Sequence, residues 1–346
     1  MDAEQKLHDF DPDGVGNTSN NIFGLPFSTA ESKLVFIPVP WDVTVSNHEG
    51  TCEGPSAIFE NAFQIDLYDP VAPEAWKKGM AMEAIDQDLI GKSNLLRKQA
   101  RQIIEYQENG GDIQADTTIQ KRLTEVNQAT RALNADVEMR CLKYLENGQL
   151  PLLVGGDHST PTGLIRALAN REHFGILQID AHADLRNAYQ GFTDSHASVM
   201  YNALQLDNVE QLIQVGIREL SGEENRVLTQ HPGQISTWYD HDLHRRLFEG
   251  TTWGALCREI VQKLPGNVYI SFDVDGLEPS HCPGTGTPVP GGITFMQAMY
   301  LLETVMKQGK RIIGADLVET GPSTLDGIIS SRILFRMAGM MIHSNQ

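Results

Sequence analysis

The feature that most constrains the fold is the regular alternation of short apolar runs and amphipathic stretches beyond Gly148. The predicted strands lie at 151–154, 175–179, 211–215, 268–272 and 311–318, and the predicted helices lie near 160–169, 221–230, 252–264, 294–308 and 326–341. Such alternation indicates βαβ units, in which helices cover both faces of a parallel sheet. We therefore predict an α/β fold.

The first half of the chain adds fewer regular elements. Residues 34–40 predict a further buried strand ended by prolines, residues 84–116 read as irregular and helical pieces, and residues 117–146 predict one long helix. Residues 1–30 are rich in Asp, Asn, Ser and Gly and show no apolar period, so we predict an irregular N-terminal arm. No linker or repeat divides the rest, and we expect a single domain over 31–346.

Charge and composition exclude several classes of partner. The chain has 45 acidic and 27 basic residues, a net charge of −18, and such a surface repels nucleic acid and anionic lipid. No apolar run approaches the roughly 20 residues of a membrane span, and the start lacks the pattern of a signal peptide. The four cysteines are far apart and predict reduced thiols, so we expect a cytoplasmic protein.

Acidic and histidine residues follow three of the predicted strands directly. The segments are Gly-Gly-Asp-His-Ser at 155–159, Asp-Ala-His-Ala-Asp at 180–184 and Asp-Val-Asp-Gly at 273–276. Side chains alternate faces in extended chain, so Asp180, His182 and Asp184 can point the same way. Parallel sheets place their ligands at the carboxyl ends of strands, where we expect all three segments to meet.

The charges gathered in this way predict a metal centre. Four carboxylates and two imidazoles packed together are costly unless cations compensate them. No cysteine belongs to the segments, which argues against structural zinc, and the oxygen-rich set suits Mn²⁺, with Ni²⁺, Co²⁺ or Fe²⁺ also compatible. Six ligands suit two ions about 3.5–4 Å apart, bridged by carboxylates and by a water deprotonated to hydroxide.

The same residues resemble the signature motifs of a known family. Segments 155–159, 180–184 and 271–279 resemble the three motifs of the ureohydrolase superfamily, which contains arginases, agmatinases and formiminoglutamases. The loop 283–292 and the segment 50–58 are similar to two further stretches of that family. The resemblance implies an arginase-like three-layer α/β/α sandwich around a mainly parallel sheet of about eight strands. It also implies a homotrimer or homohexamer.

The resemblance implies a role for each site residue. The implied ligands of a centre holding two Mn²⁺ per subunit are His158, Asp180, His182, Asp184, Asp273 and Asp275. Asp180 and Asp273 would bridge the ions. His196 matches a proton-transfer histidine and Glu319 matches the glutamate that holds the substrate guanidinium; with Asp184 these form the predicted catalytic set.

The implied reaction is hydrolysis of a small cationic guanidino compound. Hydroxide bridging the metal ions would attack the guanidinium carbon, and the products would be urea and an amine. Leu185 and Arg186 after the second motif, with His196 downstream, are closer to agmatinase-like sequences than to arginases. We therefore rank an agmatinase-like activity first.

Several alternatives stay open at this stage. Arg186, if it faced the pocket, would disfavour a cationic tail, and the loop 41–50 departs from the usual agmatinase pattern. These departures leave room for guanidino acids, guanidine itself or a formimino compound, with arginase ranked last. His48 in that loop is a candidate substrate contact, whereas His241 and His244 read as part of a charged surface loop. A single-zinc deacetylase and a catalytically silent metal-binding relative are the alternatives from other classes.

Overall fold

One sheet of eight strands, all paired in parallel, organises the chain in a computed structural model that describes residues 3–346. The strands are β1 (Leu34–Val39), β2 (Met80–Met82), β3 (Leu150–Gly155), β4 (Phe174–Ile179), β5 (Val209–Ile217), β6 (Ile235–Tyr239), β7 (Asn267–Asp273) and β8 (Arg311–Val318). Their order across the sheet is β2-β1-β3-β8-β7-β4-β5-β6. The predicted parallel sheet of about eight strands is confirmed.

Helices connect the strands and lie on both faces of the sheet. They are α1 (Ala3–Asp9), α2 (Gly54–Asn61), α3 (Gln87–Glu108), α4 (Thr117–Glu146), α5 (Thr162–Ala169), α6 (Val199–Ala203), α7 (Gly222–Gln230), α8 (Asp240–Phe248), α9 (Trp253–Val261), α10 (Phe295–Lys307) and α11 (Thr324–Ser344). Within residues 3–346, none of these helices combines the length and apolar character needed to span a bilayer.

Two apolar cores separate the layers, because consecutive strand residues point to opposite faces. In β1, Leu34 and Phe36 belong to the core that also contains residues of α2, α9, α10 and α11, whereas Val35 and Ile37 belong to the core that contains residues of α3 to α6. Every residue of β1 is buried, as expected of a central parallel strand covered on both sides. This arrangement confirms the predicted three-layer α/β/α sandwich.

The structure also corrects parts of the sequence interpretation. The stretch 84–116, read as irregular and helical pieces, contains the long helix α3. His241 and His244 do not lie in a loop but in α8, whose Leu243 and Leu247 face the core while charged residues dominate the rest. The edge strand β6 and the short strand β2 were not predicted.

The N-terminal segment is not irregular throughout. Ala3–Asp9 is helical, and residues 22–27 pack against the core below β1 through Ile22, Phe23 and Leu25. Residues 1 and 2 lie outside the described part of the chain. The division into an arm over 1–30 and a domain over 31–346 stays a prediction.

Candidate metal centre

Four neighbouring strands bring the predicted site residues to one edge of the sheet. The strands β3, β8, β7 and β4 are consecutive in the sheet, and each ends in a segment that carries acidic or histidine side chains. These side chains are His158 after β3, Glu319 after β8, Asp273 and Asp275 at the end of β7, and Asp180, His182 and Asp184 after β4. The structure therefore places all six predicted ligands together.

The first group of side chains surrounds the buried ring of His158. Its Nδ1 lies 3.0 Å from Asp180 Oδ2, 2.9 Å from Asp184 Oδ2 and 3.3 Å from Asp273 Oδ2. His158, Asp180 and Asp273 each offer one atom to a common point, as metal ligands do. All four side chains are buried, so water cannot compensate their charge.

A second group shares one carboxylate with the first. Asp180, His182 and Asp275 also offer converging atoms, with His182 Nδ1 2.9 Å from Asp275 Oδ2 and 3.7 Å from Asp180 Oδ1. Asp180 thus faces a different histidine with each of its oxygens, which is the arrangement of a bridging ligand. Asp273 belongs to the first group alone, so its bridging role stays a prediction.

Burial and the crowding of carboxylates shift the pKa values of the cluster. Burial and the Asp180 carboxylate raise the pKa of Asp184 to about 7. Burial and the Asp275 and Asp180 carboxylates raise the pKa of Asp273 well above its ordinary value. Burial opposes the charge on His158, but the facing carboxylates together raise the pKa of its ring well above the usual range. Buried carboxylates this close together are costly to ionise at the same time, and divalent cations would compensate their charge.

The donor atoms fit divalent ions. His158 Nε2 is 2.9 Å from the Ser271 hydroxyl, and in the neutral tautomer that donates its proton there the Nδ1 lone pair faces the carboxylates. This Nδ1 is buried without a hydrogen-bond partner among residues 3–346, and so is one oxygen of Glu319. Carboxylate oxygens with imidazole nitrogens are the donors that Mn²⁺ and its neighbours accept. The residues present therefore suit a metal centre.

Glu319 stands beside the cluster in a strained conformation. Its φ of 60° is in the left-handed region, as is the φ of 53° at Asp184, and such outliers concentrate at functional sites. Glu319 lines the cavity; its Oε1 accepts a hydrogen bond of 2.9 Å from the His158 backbone N–H, and its Oε2 has no hydrogen-bond partner within the described residues. Burial and the Asp157 carboxylate raise the pKa of Glu319 well above its ordinary value.

His196 lies across the same cavity. Its backbone N–H donates to Thr44 Oγ1 at 3.2 Å, and its Nε2 is 3.4 Å from Ser46 Oγ. Burial, with smaller effects of the His182 and His158 charges, lowers the pKa of His196 to about 3. The ring is therefore neutral at neutral pH and offers one nitrogen lone pair.

The cavity above the cluster has a volume of about 390 Å³, within the range of small-molecule sites. Arg186 lines it, as the sequence analysis considered, but the guanidinium stacks on Tyr189 at 4.6 Å and lies 3.6 Å from the Glu224 carboxylate. Glu224 thus partly compensates its charge. Glu219, whose side chain is 67% exposed, adds a carboxylate to the wall.

Sequence reasoning missed part of this site. The cavity is also lined by Tyr189, Glu219 and Glu224. These residues lie on loops and on α7 and belong to no sequence motif, so only the tertiary fold shows that they are part of the site. Asp157, noted only as part of the first motif, accepts hydrogen bonds from Thr44 and so fastens the loop 41–50 to the site. His48 is exposed and is not among the cavity-lining residues.

Known proteins resemble the chain along most of its length. The sequence matches the arginase family over residues 32–343. It is 30% identical over 309 residues to an N(1)-aminopropylagmatine ureohydrolase of Thermus thermophilus, covering 85% of this chain and 84% of that protein. An agmatinase of Bacillus anthracis is 28% identical, with 85% and 86% covered. The agmatine ureohydrolase of Thermoplasma volcanium superposes with a TM-score of 0.68 at 21% identity, covering 98% of both chains.

Proposed function

Because the chain belongs to the arginase family, we propose that it is an agmatinase-like hydrolase that releases urea and an amine from a small guanidino substrate. The observation that supports this proposal most directly is that two sets of side chains lie around one cavity. The six candidate ligand side chains converge beside it, and Glu319, whose Oε2 has no hydrogen-bond partner among residues 3–346, lines the same space. A metal centre beside an unpaired carboxylate is what hydrolysis of a guanidinium requires.

The proposed metal ligands are the residues of the two groups together with Asp184. They are His158, Asp180, His182, Asp184, Asp273 and Asp275. Two divalent ions bound there would supply water deprotonated near neutral pH, and Mn²⁺ is proposed, with Ni²⁺ as the first alternative. The four cysteines are all free and buried, which supports a reducing, cytoplasmic location. We also propose a homotrimer or homohexamer.

Glu319 binds and orients the substrate in this proposal. A guanidinium is planar and permanently charged, and a carboxylate receives it through two parallel hydrogen bonds. Within residues 3–346 Glu319 Oε2 has no hydrogen-bond partner, and Oε1 keeps a second lone pair beside its bond to the His158 backbone. A guanidinium held on both oxygens lies with its plane fixed above the metal ligands, which aligns its central carbon for attack.

His196 moves a proton in the same proposal. The amine leaves as a neutral molecule only if its nitrogen receives a proton. The neutral His196 ring has one lone pair to accept a proton in the cavity and, once protonated, an N–H to donate it. Ser46 contacts the ring and Thr44 accepts from the His196 backbone N–H, and together they hold His196 at the cavity wall.

The cavity wall supports a cationic substrate tail. Arg186 does not present an isolated positive charge, because Glu224 lies beside it. Glu219 is the exposed carboxylate of the wall, and it can receive an ammonium group such as that of agmatine. These contacts favour agmatine-like substrates over guanidino acids.

A urea-release assay tests the proposal. The panel contains agmatine, arginine, 4-guanidinobutyrate, 3-guanidinopropionate and guanidine, each with Mn²⁺ and with Ni²⁺. We expect the highest kcat/KM for agmatine. In Glu219→Gln we expect the KM for agmatine to rise up to about fivefold, as an exposed ion pair of about 1 kcal/mol implies, and the KM for guanidine to stay unchanged. Urea from none of the five compounds with either metal overturns the proposal, and a guanidino acid as best substrate overturns the tail assignment.

A further inference from the structure

A row of polar side chains crosses five strands just below the metal ligands. Asp316 of β8 lies opposite Ser271 of β7, Ser271 opposite Gln178 of β4, Gln178 opposite Gln214 of β5, and Gln214 opposite Thr237 of β6. The first four are completely buried. Polar groups inside a packed sheet are costly unless they are hydrogen-bonded. These five residues, called the polar row below, therefore need partners; they bond to one another, and Gln178 and Ser271 also contact residues of the metal centre.

The middle of the row holds a candidate bridging ligand. Gln178 Nε2 donates to Asp180 Oδ2 at 2.8 Å and to the His182 carbonyl at 3.3 Å. Gln178 Oε1 accepts a hydrogen bond of 2.7 Å from Gln214 Nε2. The reverse orientation of the Gln178 amide would set its oxygen against a carboxylate, so the network determines which end faces Asp180.

Gln214 extends the support to the backbone that carries three ligands. Its Nε2 also donates to the Ala183 carbonyl at 2.8 Å, and its Oε1 accepts from the Thr237 hydroxyl at 2.9 Å. The segment 180–184 has left the sheet, so its carbonyls need donors from elsewhere. The two glutamines supply donors at His182 and Ala183, next to the left-handed backbone of Asp184.

The other end of the row orients a candidate imidazole ligand. Ser271 Oγ lies 2.9 Å from His158 Nε2 and donates to Asp316 Oδ1 at 3.1 Å. The Tyr269 hydroxyl donates to Asp316 Oδ2 at 2.6 Å. With the serine proton directed to Asp316, the Ser271 oxygen accepts the Nε2 proton of His158. The Nδ1 lone pair is thereby left for a metal ion.

We infer that the polar row positions the metal centre: Gln178, supported by Gln214 and Thr237, sets the carboxylate of Asp180, and Ser271, supported by Asp316, sets the ring of His158. This inference rests on the proposed metal centre. The row residues are positioning residues, since they act through the ligands. Outer partners of this kind are typically worth about 10- to 100-fold in metal affinity.

Metal titration tests the inference apart from activity. Gln178→Met and Ser271→Ala remove the hydrogen bonds at little change in shape, and Gln214→Met acts one residue further away. Gln211→Met is the matched control, because Gln211 is a half-buried glutamine at the opposite end of β5. Mn²⁺ affinity is measured by calorimetry on the full chain, and the melting temperature is measured in EDTA and in Mn²⁺.

We expect Gln178→Met and Ser271→Ala to bind Mn²⁺ about 10- to 100-fold more weakly, with a smaller loss for Gln214→Met and none for Gln211→Met. The rise in melting temperature on adding Mn²⁺ should shrink in the row variants. A purely structural role would lower both melting temperatures alike and leave that rise unchanged, and this result overturns the inference. If Gln178→Met does not fold, Gln214→Met and Ser271→Ala decide the question.

The two proposals fail in different ways. A wild-type chain that binds neither Mn²⁺ nor Ni²⁺ overturns the metal centre and the row together. A wild type that binds two ions, with row variants that bind them equally well, overturns the row alone. We also expect the double variant Gln178→Met/Gln214→Met to lose less affinity than the sum of the two single losses, because both changes break the Gln178–Gln214 bond, and only the Gln214 contact with the Ala183 carbonyl is independent of it. Additive losses would contradict this coupling.

Discussion

Glu319→Gln separates substrate binding from metal binding with a single atom changed. Glu319 is 3% exposed; its Oε1 accepts a hydrogen bond from the His158 backbone N–H, and its Oε2 has no hydrogen-bond partner in the described part of the chain. A glutamine of the same shape keeps the first bond through its own oxygen. Its amide nitrogen takes the place of the free oxygen, where a guanidinium would otherwise be received.

The expected loss follows from the bonds that the substrate makes there. A hydrogen bond between charged groups contributes about 1.5–3 kcal/mol, and the variant loses the bond at Oε2 and weakens the one at Oε1. A total of about 3 kcal/mol corresponds to roughly a hundredfold fall in kcat/KM. Because the guanidinium is both bound and aligned by this contact, KM should rise and kcat should fall.

Stability should not follow activity in this variant. Burial raises the pKa of Glu319, so ionising this carboxyl costs free energy in the folded chain. A neutral glutamine avoids that cost, and we expect an equal or higher melting temperature and an unchanged Mn²⁺ affinity.

The assay is urea release from agmatine at saturating Mn²⁺, with metal content measured on the same samples. Glu278→Gln, an exposed carboxylate on the loop after β7, is the matched control and should leave kcat/KM unchanged. Unchanged kinetics in Glu319→Gln, with two ions bound, would remove Glu319 from the substrate site. Loss of the ions together with turnover would show that it acts on the metal centre through His158 instead.

Three further predictions concern the metal centre and its frame. Asp180→Ala should abolish both Mn²⁺ binding and urea release, because Asp180 faces both histidines; a variant that still binds two ions refutes its bridging role. EDTA should lower the melting temperature and Mn²⁺ should restore it, because Mn²⁺ at 1,000 times its Kd adds about 4 kcal/mol to the free energy of unfolding. A melting temperature that EDTA leaves unchanged in a calorimetric scan refutes resident ions. Arg218→Met should lower the free energy of unfolding by about 2 kcal/mol, since the guanidinium binds the Asp275, Leu277 and Val289 carbonyls; a loss below about 0.5 kcal/mol in urea denaturation contradicts this.

The convergence of the six ligand side chains could be predicted because two local signals coincide. Each motif follows a run of buried apolar residues, and parallel strands end at a common edge. Any parallel order places the motifs at the same edge, but the contact between the side chains also requires that the four strands be neighbours, as in the order β3-β8-β7-β4. What depended on the order was how Asp180 came to face both His158 and His182.

The elements that were missed have weak local signals. In α8 only Leu243 and Leu247 face the core, and the surrounding charges make the segment resemble an exposed loop. β6 lies at the edge of the sheet with only Ile235 fully buried, so its sequence has no long apolar run. Both elements are stabilised by packing against the rest of the sheet, and a local sequence pattern contains no information about those partners.

The polar row is visible in the sequence only as isolated polar residues, because its function depends on which strands are neighbours. Gln178, Gln214, Ser271, Asp316 and Thr237 each interrupt a strand one to three residues before its end. A single buried polar residue in an apolar strand requires only some partner, and its position says nothing about which one. Strand register lines the five up in one row, and the strand ends above that row carry the charges. Polar residues in register near the ends of adjacent strands at a charged edge are therefore a testable mark of a layer that supports a metal site, because donors and acceptors below the ligands help to fix their orientation.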